Sequence, residues 1–245
     1  SKDSVLIFNM TDKVFAARAR KVIMLLTALI CISGGTAAAQ RMYEPKVYIG
    51  AKGGATLSNV QFTPHVKQTL RQGLLMGVTA RYTEEKIFGI IGELLVEQRG
   101  WKENFEKAPF AYDREMTYVT LPVLTHIYFG SEKVKGFVNL GASVSYLLGS
   151  KITSDFDYAN ALKQPGFPTY RSVEQMSMDI KNKFDYGILG GIGAEFIIRK
   201  KHSIVLEGRY YFGLGNIFPA TKRDVFSGSR NTSIEISLGY MFRLK

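Results

Sequence analysis

Few residues in this chain have the type and spacing that chemistry demands. The run Gly187-x-x-Gly190-Gly191-x-Gly193 has the glycine density of a phosphate-cradling loop. Such a loop works only where a strand turns into a helix whose N-terminus faces the phosphate. Here Ile188, Ile192 and Phe196 alternate with Asp185, Gly187 and Glu195, which puts the glycines inside a strand, packed closely in a wall. His65, His126 and His202 have no His-x3-His spacing, so no metal site is expected. No G-x-S-x-G elbow or comparable nucleophile motif occurs. The expectation is a protein that is not an enzyme, with no catalytic residue and no cofactor.

What remains is a set of charges at odd places. Lys52, Arg81, Glu93, Glu97, Arg99, Asp185, Glu195, Glu207, Arg209 and Glu235 all fall on one side of segments whose other side is apolar. Confined together, such groups must pair, because an unpaired buried charge costs several kcal/mol. A salt-bridged plug is one reading. A proton or ion path, or a catalytic carboxylate working with His126, is the other.

The elements that would hold these charges are strands. After Gln40 the chain alternates apolar and polar residues in eight successive segments. Leu74, Met76, Val78, Ala80 and Tyr82 oppose Gly77, Thr79 and Arg81; Val138, Leu140, Ala142, Val144 and Tyr146 oppose Asn139, Gly141, Ser143 and Ser145. A period of two gives each strand one apolar face. In a soluble sandwich or lipocalin-like barrel that face points inward; in an outer-membrane barrel it points to lipid. The polar face decides. It mixes charges with many glycines, which suits the crowded interior of a narrow barrel better than a solvated surface. Aromatics also gather near strand ends on the apolar face, with Tyr82, Phe88, Phe129, Phe196 and Phe242 at one rim and Tyr146 and Phe184 nearer the other. That is the girdle expected at two lipid–water interfaces.

The connections alternate strictly. Thr83–Lys86, Gly130–Lys135 and Arg199–His202 are short, whereas Ser58–Arg71, Gly100–Glu115, Ser150–Asn182 and Gly215–Arg230 are long and polar. The fold class is therefore all-β: an eight-stranded antiparallel up-and-down transmembrane β-barrel with short periplasmic turns and long extracellular loops. Strands of ~10–12 residues tilted by ~45° match the hydrocarbon thickness. Eight strands enclose an interior filled by side chains, here including Leu75, Ile91, Leu95, Leu124, Leu147 and Leu189. The Ser150–Asn182 loop carries Phe156, Tyr158, Phe167 and Tyr170 among polar residues, either as contacts for a ligand or as rings packed on the barrel rim.

The first 39 residues read as an address. Lys13, Arg18, Arg20 and Lys21 precede the apolar run Val22 to Ile32, and Ala37-Ala38-Ala39-Gln40 follows. That is the pattern of a signal peptide cleaved after Ala39, too short to span a bilayer. Residues 1–9, ahead of Met10, read as an upstream extension, and 40–245 as the barrel domain. Removal of the five cations and two anions of residues 1–39 lowers the net charge from +11 to +8. It also removes Cys31, the single cysteine, so no disulfide framework is expected. The remaining cations are scattered rather than striped, which argues against a nucleic-acid partner. Many flank the long loops, where lipopolysaccharide phosphates would meet them.

The segments AKGGATLSNV, YVTLPVLTHIYF, GFVNLGASVSYLLGSK, KFDYGILGGIGAEF, LEGRYYFGLGNIF and SIEISLGYMF resemble the PorT-like outer-membrane β-barrel family of Bacteroidota. The resemblance runs from Lys46 to Phe242 and departs from the family pattern at Thr120 and His126. It implies an eight-stranded barrel in the outer membrane of a Gram-negative bacterium, in a family whose founding member is similar to components of a protein secretion apparatus. Three functions stay open: a structural or binding barrel acting through its loops, a secretion-apparatus component, and a lumen or rim enzyme acting on lipids or peptides. A monomeric barrel in contact with outer-membrane lipid, with a protein partner on its long loops, is the expected assembly.

Overall fold

A computed structural model describes residues 45–84, 87–106, 108–168, 172–221 and 224–244. The expected signal region, 1–39, lies outside the described residues. The described chain forms eight long strands: β1 (Lys46–Thr63), β2 (Arg71–Thr83), β3 (Phe88–Glu103), β4 (Tyr112–Gly130), β5 (Val134–Ser154), β6 (Phe184–Arg199), β7 (His202–Gly213) and β8 (Gly228–Arg243). A two-residue segment, Gln68–Thr69, runs ahead of β2 and pairs with β3. Each strand pairs antiparallel with the next, and β8 returns to β1 from Tyr48↔Arg243 to Thr63↔Gly228. The sheet is an up-and-down ring, which leaves no open edge.

The alternation sets the two faces. Ile49, Val78, Leu94, Val123, Leu140, Ile192, Leu206 and Leu238 point out and stay exposed, while all ten charges named above are buried inside. Tyr82, Phe88, Phe129 and Phe196 ring the outer surface at the short-turn end, and Tyr146, Phe184, Tyr186 and Tyr210 ring it nearer the loops. Interior glycines let the wall curve tightly. A Cβ on Gly54 would meet the Ile236 carbonyl oxygen at 2.0 Å, and one on Gly141 the Val123 oxygen at 2.0 Å. Gly187, Gly191 and Gly193 sit within β6, against β7 and Phe137, with no helix following them.

The strands run further than the apolar pattern suggests, from 12 residues in β7 to 21 in β5. Pairing continues through Gln61↔Arg230, Lys102↔Asp113 and Asp113↔Thr153, segments assigned to loops on polarity. Backbone N–H and C=O groups pair whatever the side chains are. The loss of outward apolar residues therefore marks where the wall leaves lipid, not where the strand ends. The barrel stands proud of the apolar band at its long-loop end, and the loops proper shrink to 64–70, 104–111, 155–183 and 214–227.

Candidate functional site: a charged lumen under an aromatic cap

The lumen is tied across its width in two tiers. Near the short turns, Arg81 on β2 donates to both carboxylate oxygens of Glu195 on β6, at 2.9 and 2.7 Å. These strands are four apart in a ring of eight, so the pair spans the lumen. Ser203 Oγ donates to the same carboxylate at 2.6 Å. Deeper in, Arg209 on β7 forks onto Glu93 on β3 at 2.5 and 2.8 Å, again between opposite strands. Lys52 Nζ joins Glu207 at 2.9 Å and Glu93 at 3.4 Å. Such charge-assisted, partly bidentate bonds are the strong kind.

His126 belongs to this tier. One ring nitrogen lies 2.7 Å from Asn139 Oδ1 and the other 3.4 Å from Arg81 Nη1. Asn139 Nδ2 in turn donates to Glu207 at 2.6 Å. Tyr128 and Phe137 flank the imidazole with ring centroids 5.3 and 5.1 Å away. Its nitrogens thus meet an amide and a guanidinium rather than a carboxylate.

The upper tier centres on Arg99. Its Nε and Nη2 donate to Glu97 Oε2 at 3.0 and 2.5 Å, and Nη1 reaches Asp185 at 3.4 Å. The guanidinium lies 3.9 Å from the centroid of the Tyr211 ring, a cation–π contact. Tyr211 Oη and Asn231 Nδ2 each donate to Asp185 at 3.0 Å. Glu235 accepts from Ser233 Oγ at 3.3 Å and forms no ion pair among the described residues. Four cations thus face six carboxylates. The cavity between Lys52, Arg81, Glu93, His126 and Arg209 is only about 30 Å³, room for about one water.

Above the charges the inward side chains turn aromatic. Phe62 packs edge-on against Trp101 at 5.3 Å and lies 4.9 Å from Phe226; Phe218 sits 6.3 Å from Trp101. Trp101, Phe218 and Phe226 are fully buried. The 155–183 loop covers this layer. Its helix α1 (Glu174–Ser177) inserts Gln175 and Met176, and Tyr112 Oη donates to the Met176 carbonyl at 2.7 Å. Arg114 Nη1 donates to the Met178 carbonyl at 2.6 Å. A 3-10 helix (Tyr158–Lys163) precedes α1, capped by Asp157, which accepts from Ala159 N at 3.1 Å and Asn160 Nδ2 at 2.9 Å. Those bonds, the Asn160 amide first, hold the Asp157 carboxyl below the usual carboxylate range.

The loop aromatics join this cap. Phe167 is buried 5.7 Å from Phe105, half-buried Phe156 lies 5.2 Å from Phe110, and Tyr158 lies 5.8 Å from Tyr112. Tyr170 lies outside the described residues. The rings of Phe156, Tyr158 and Phe167 pack on the rim, and Phe167 has no free face for a ligand. The cap residues Phe62, Trp101, Tyr112 and Met116 escaped sequence reasoning, although a signal existed. They continue the inward register of Val60, Arg99 and Tyr118 past the points where polarity suggested that the strands ended.

A closed eight-stranded ring with an apolar outer band and a paired, charged interior defines a small membrane-spanning barrel. The chain matches the outer membrane protein beta-barrel domain family over residues 38–219 and belongs to that family, which places it in the outer membrane. No curated protein matches it. Among solved structures it is similar to Ail, the attachment invasion locus protein of Yersinia pestis, at 14% identity and a TM-score of 0.39, covering 80% of this chain and 99% of that one. Neisserial surface protein A shares 16% identity at a TM-score of 0.39, over 80% and 96% of the two chains. OprG from Pseudomonas aeruginosa shares 13% at 0.43, over 80% and 96%.

Proposed function

We propose that this protein is a closed, non-enzymatic, monomeric barrel that works as a structural and binding element through its extracellular loops. The observation that carries the reading is the filled lumen: cross-strand ion pairs below, an aromatic cap above, and a cavity of about 30 Å³ among the charges. A barrel so closed offers its environment only its two ends and its outer wall. The long-loop end faces outward, and the start of β1 and the end of β8 face the periplasm, the orientation usual for short turns and long loops.

The outer wall suggests what it touches. Lys102, Lys151 and Arg230 are exposed and face outward on the part of the wall above the apolar band. Phosphates of lipopolysaccharide in the outer leaflet would meet them there as charge-assisted acceptors. Unfolding from vesicles with and without lipopolysaccharide tests this. The expected result is higher stability with lipopolysaccharide, a gain lost in Lys151→Glu/Arg230→Glu. Equal stability in both vesicles would remove the lipid-binding role. The PorT-like, Bacteroidota reading rests on the segments quoted above, and a secretion-apparatus role is the second function it supports.

A further inference from the structure

Among the described residues the short-turn end is open, in contrast to the capped end. A vestibule of about 910 Å³ enters the ring there, floored by Tyr48, Tyr128, Ser203 and Glu195. Its lining holds seven Lys and Arg residues against two glutamates, and Arg81 already clamps one of these, Glu195. Lys133 stands on the β4–β5 turn, Arg199 at the end of β6, Lys200 and Lys201 on the β6–β7 turn, and Arg243 at the end of β8. All but Arg243 are exposed. Lys135 lies 4.6 Å from the centroid of the Tyr128 ring, on the vestibule wall. The cations that tie the lumen network itself are Lys52, Arg81, Arg99 and Arg209.

Cations collected around a concave mouth raise the local concentration of anions and hasten their capture. We propose that this vestibule is a docking site for an acidic, Asp/Glu-rich peptide segment of a periplasmic protein. Three features select that occupant. The hollow opens at the mouth of the ring among the exposed short-turn residues, so its ligand arrives through water. The cations come from separate turns and strand ends around the mouth, which suits several anionic groups spread along a chain. An extended peptide rises about 3.3 Å per residue, so successive carboxylates can reach different cations, while Ile197 and Tyr128 offer apolar contact. The periplasmic source rests on the orientation proposed above. Binding in detergent does not depend on it, so the two fail separately.

The test is fluorescence anisotropy of labelled hexaglutamate with the folded barrel in a neutral detergent. Hexaglutamate should bind at least tenfold more tightly than hexaglutamine, and more weakly as salt rises and the screening length contracts. Lys133→Glu/Lys200→Glu should lose at least tenfold. Lys67→Glu/Lys163→Glu, with the same change of net charge at the capped end, should change binding less than twofold. Unchanged Trp101 emission confirms that each variant is folded. Equal losses in the two variants would reduce the effect to net charge and overturn the site. So would hexaglutamate binding no better than hexaglutamine. Tripolyphosphate binding tenfold more tightly than hexaglutamate would reassign the vestibule to phosphate polyanions.

Discussion

Removing Arg81 should be among the most damaging single changes in the barrel. Its guanidinium and the Glu195 carboxylate are 5% and 3% exposed, joined by two hydrogen bonds across the lumen. In Arg81→Met the carboxylate keeps the Ser203 hydroxyl but loses its bidentate cation. Breaking one side of a buried pair costs about 3–5 kcal/mol, because the survivor stays buried and uncompensated. Replacing both partners with apolar groups of similar volume is often close to neutral. Arg81→Met/Glu195→Met should therefore recover most of the loss, with a coupling energy of about 2–3 kcal/mol. The assay is urea unfolding from lipid vesicles, followed through Trp101, the only tryptophan and fully buried in the cap. A single variant within about 1 kcal/mol of the parent would mean that water screens the lumen and that the ion pairs do not hold it. Equal loss in the single and double variants would mean that packing, not charge, is what Arg81 supplies.

Leu206→Arg places a cation on the lipid face near mid-strand and should cost roughly 2–4 kcal/mol, whereas Lys181→Ala on the exposed loop should be silent in the same unfolding assay. Glu235→Gln removes a buried carboxyl that forms no ion pair among the described residues, keeps an acceptor for Ser233, and should shift stability by less than about 1 kcal/mol. Trp101→Phe/Phe218→Ala should loosen the cap, seen as faster proteolysis within 155–183 while the barrel stays folded. N-terminal sequencing of membrane-extracted protein should read Gln-Arg-Met-Tyr, the product of cleavage after Ala39.

The wall was legible from sequence because a period of two sorts side chains whatever their partners are. Lys52, Arg81, Glu93 and Arg209 were placed inside by register alone. Their pairing was not legible. Arg81 meets Glu195 at a separation of 114 residues, and Arg209 meets Glu93 at 116. Any of the six carboxylates on the inner face could have taken either arginine until closure of the ring set which strands stand opposite. The cap was hidden for a second reason. Asp113, Lys102 and Arg230 read as loop because they are polar, yet they sit on paired strands whose inward neighbours are Tyr112, Trp101 and Ser229. Outside lipid, outward polarity no longer distinguishes strand from loop. The basic vestibule was scattered over four segments, and only the ring brings Lys46, Lys133, Lys200 and Arg243 to one mouth.

The central claim is that this outer-membrane barrel is shut. Purified protein in planar bilayers tests it most directly. The account predicts no steady conductance of porin size, even at high protein load, because cross-lumen ion pairs and the Trp101–Phe218–Phe226 layer occlude the path. A stable, reproducible porin-sized step from the intact chain would contradict it.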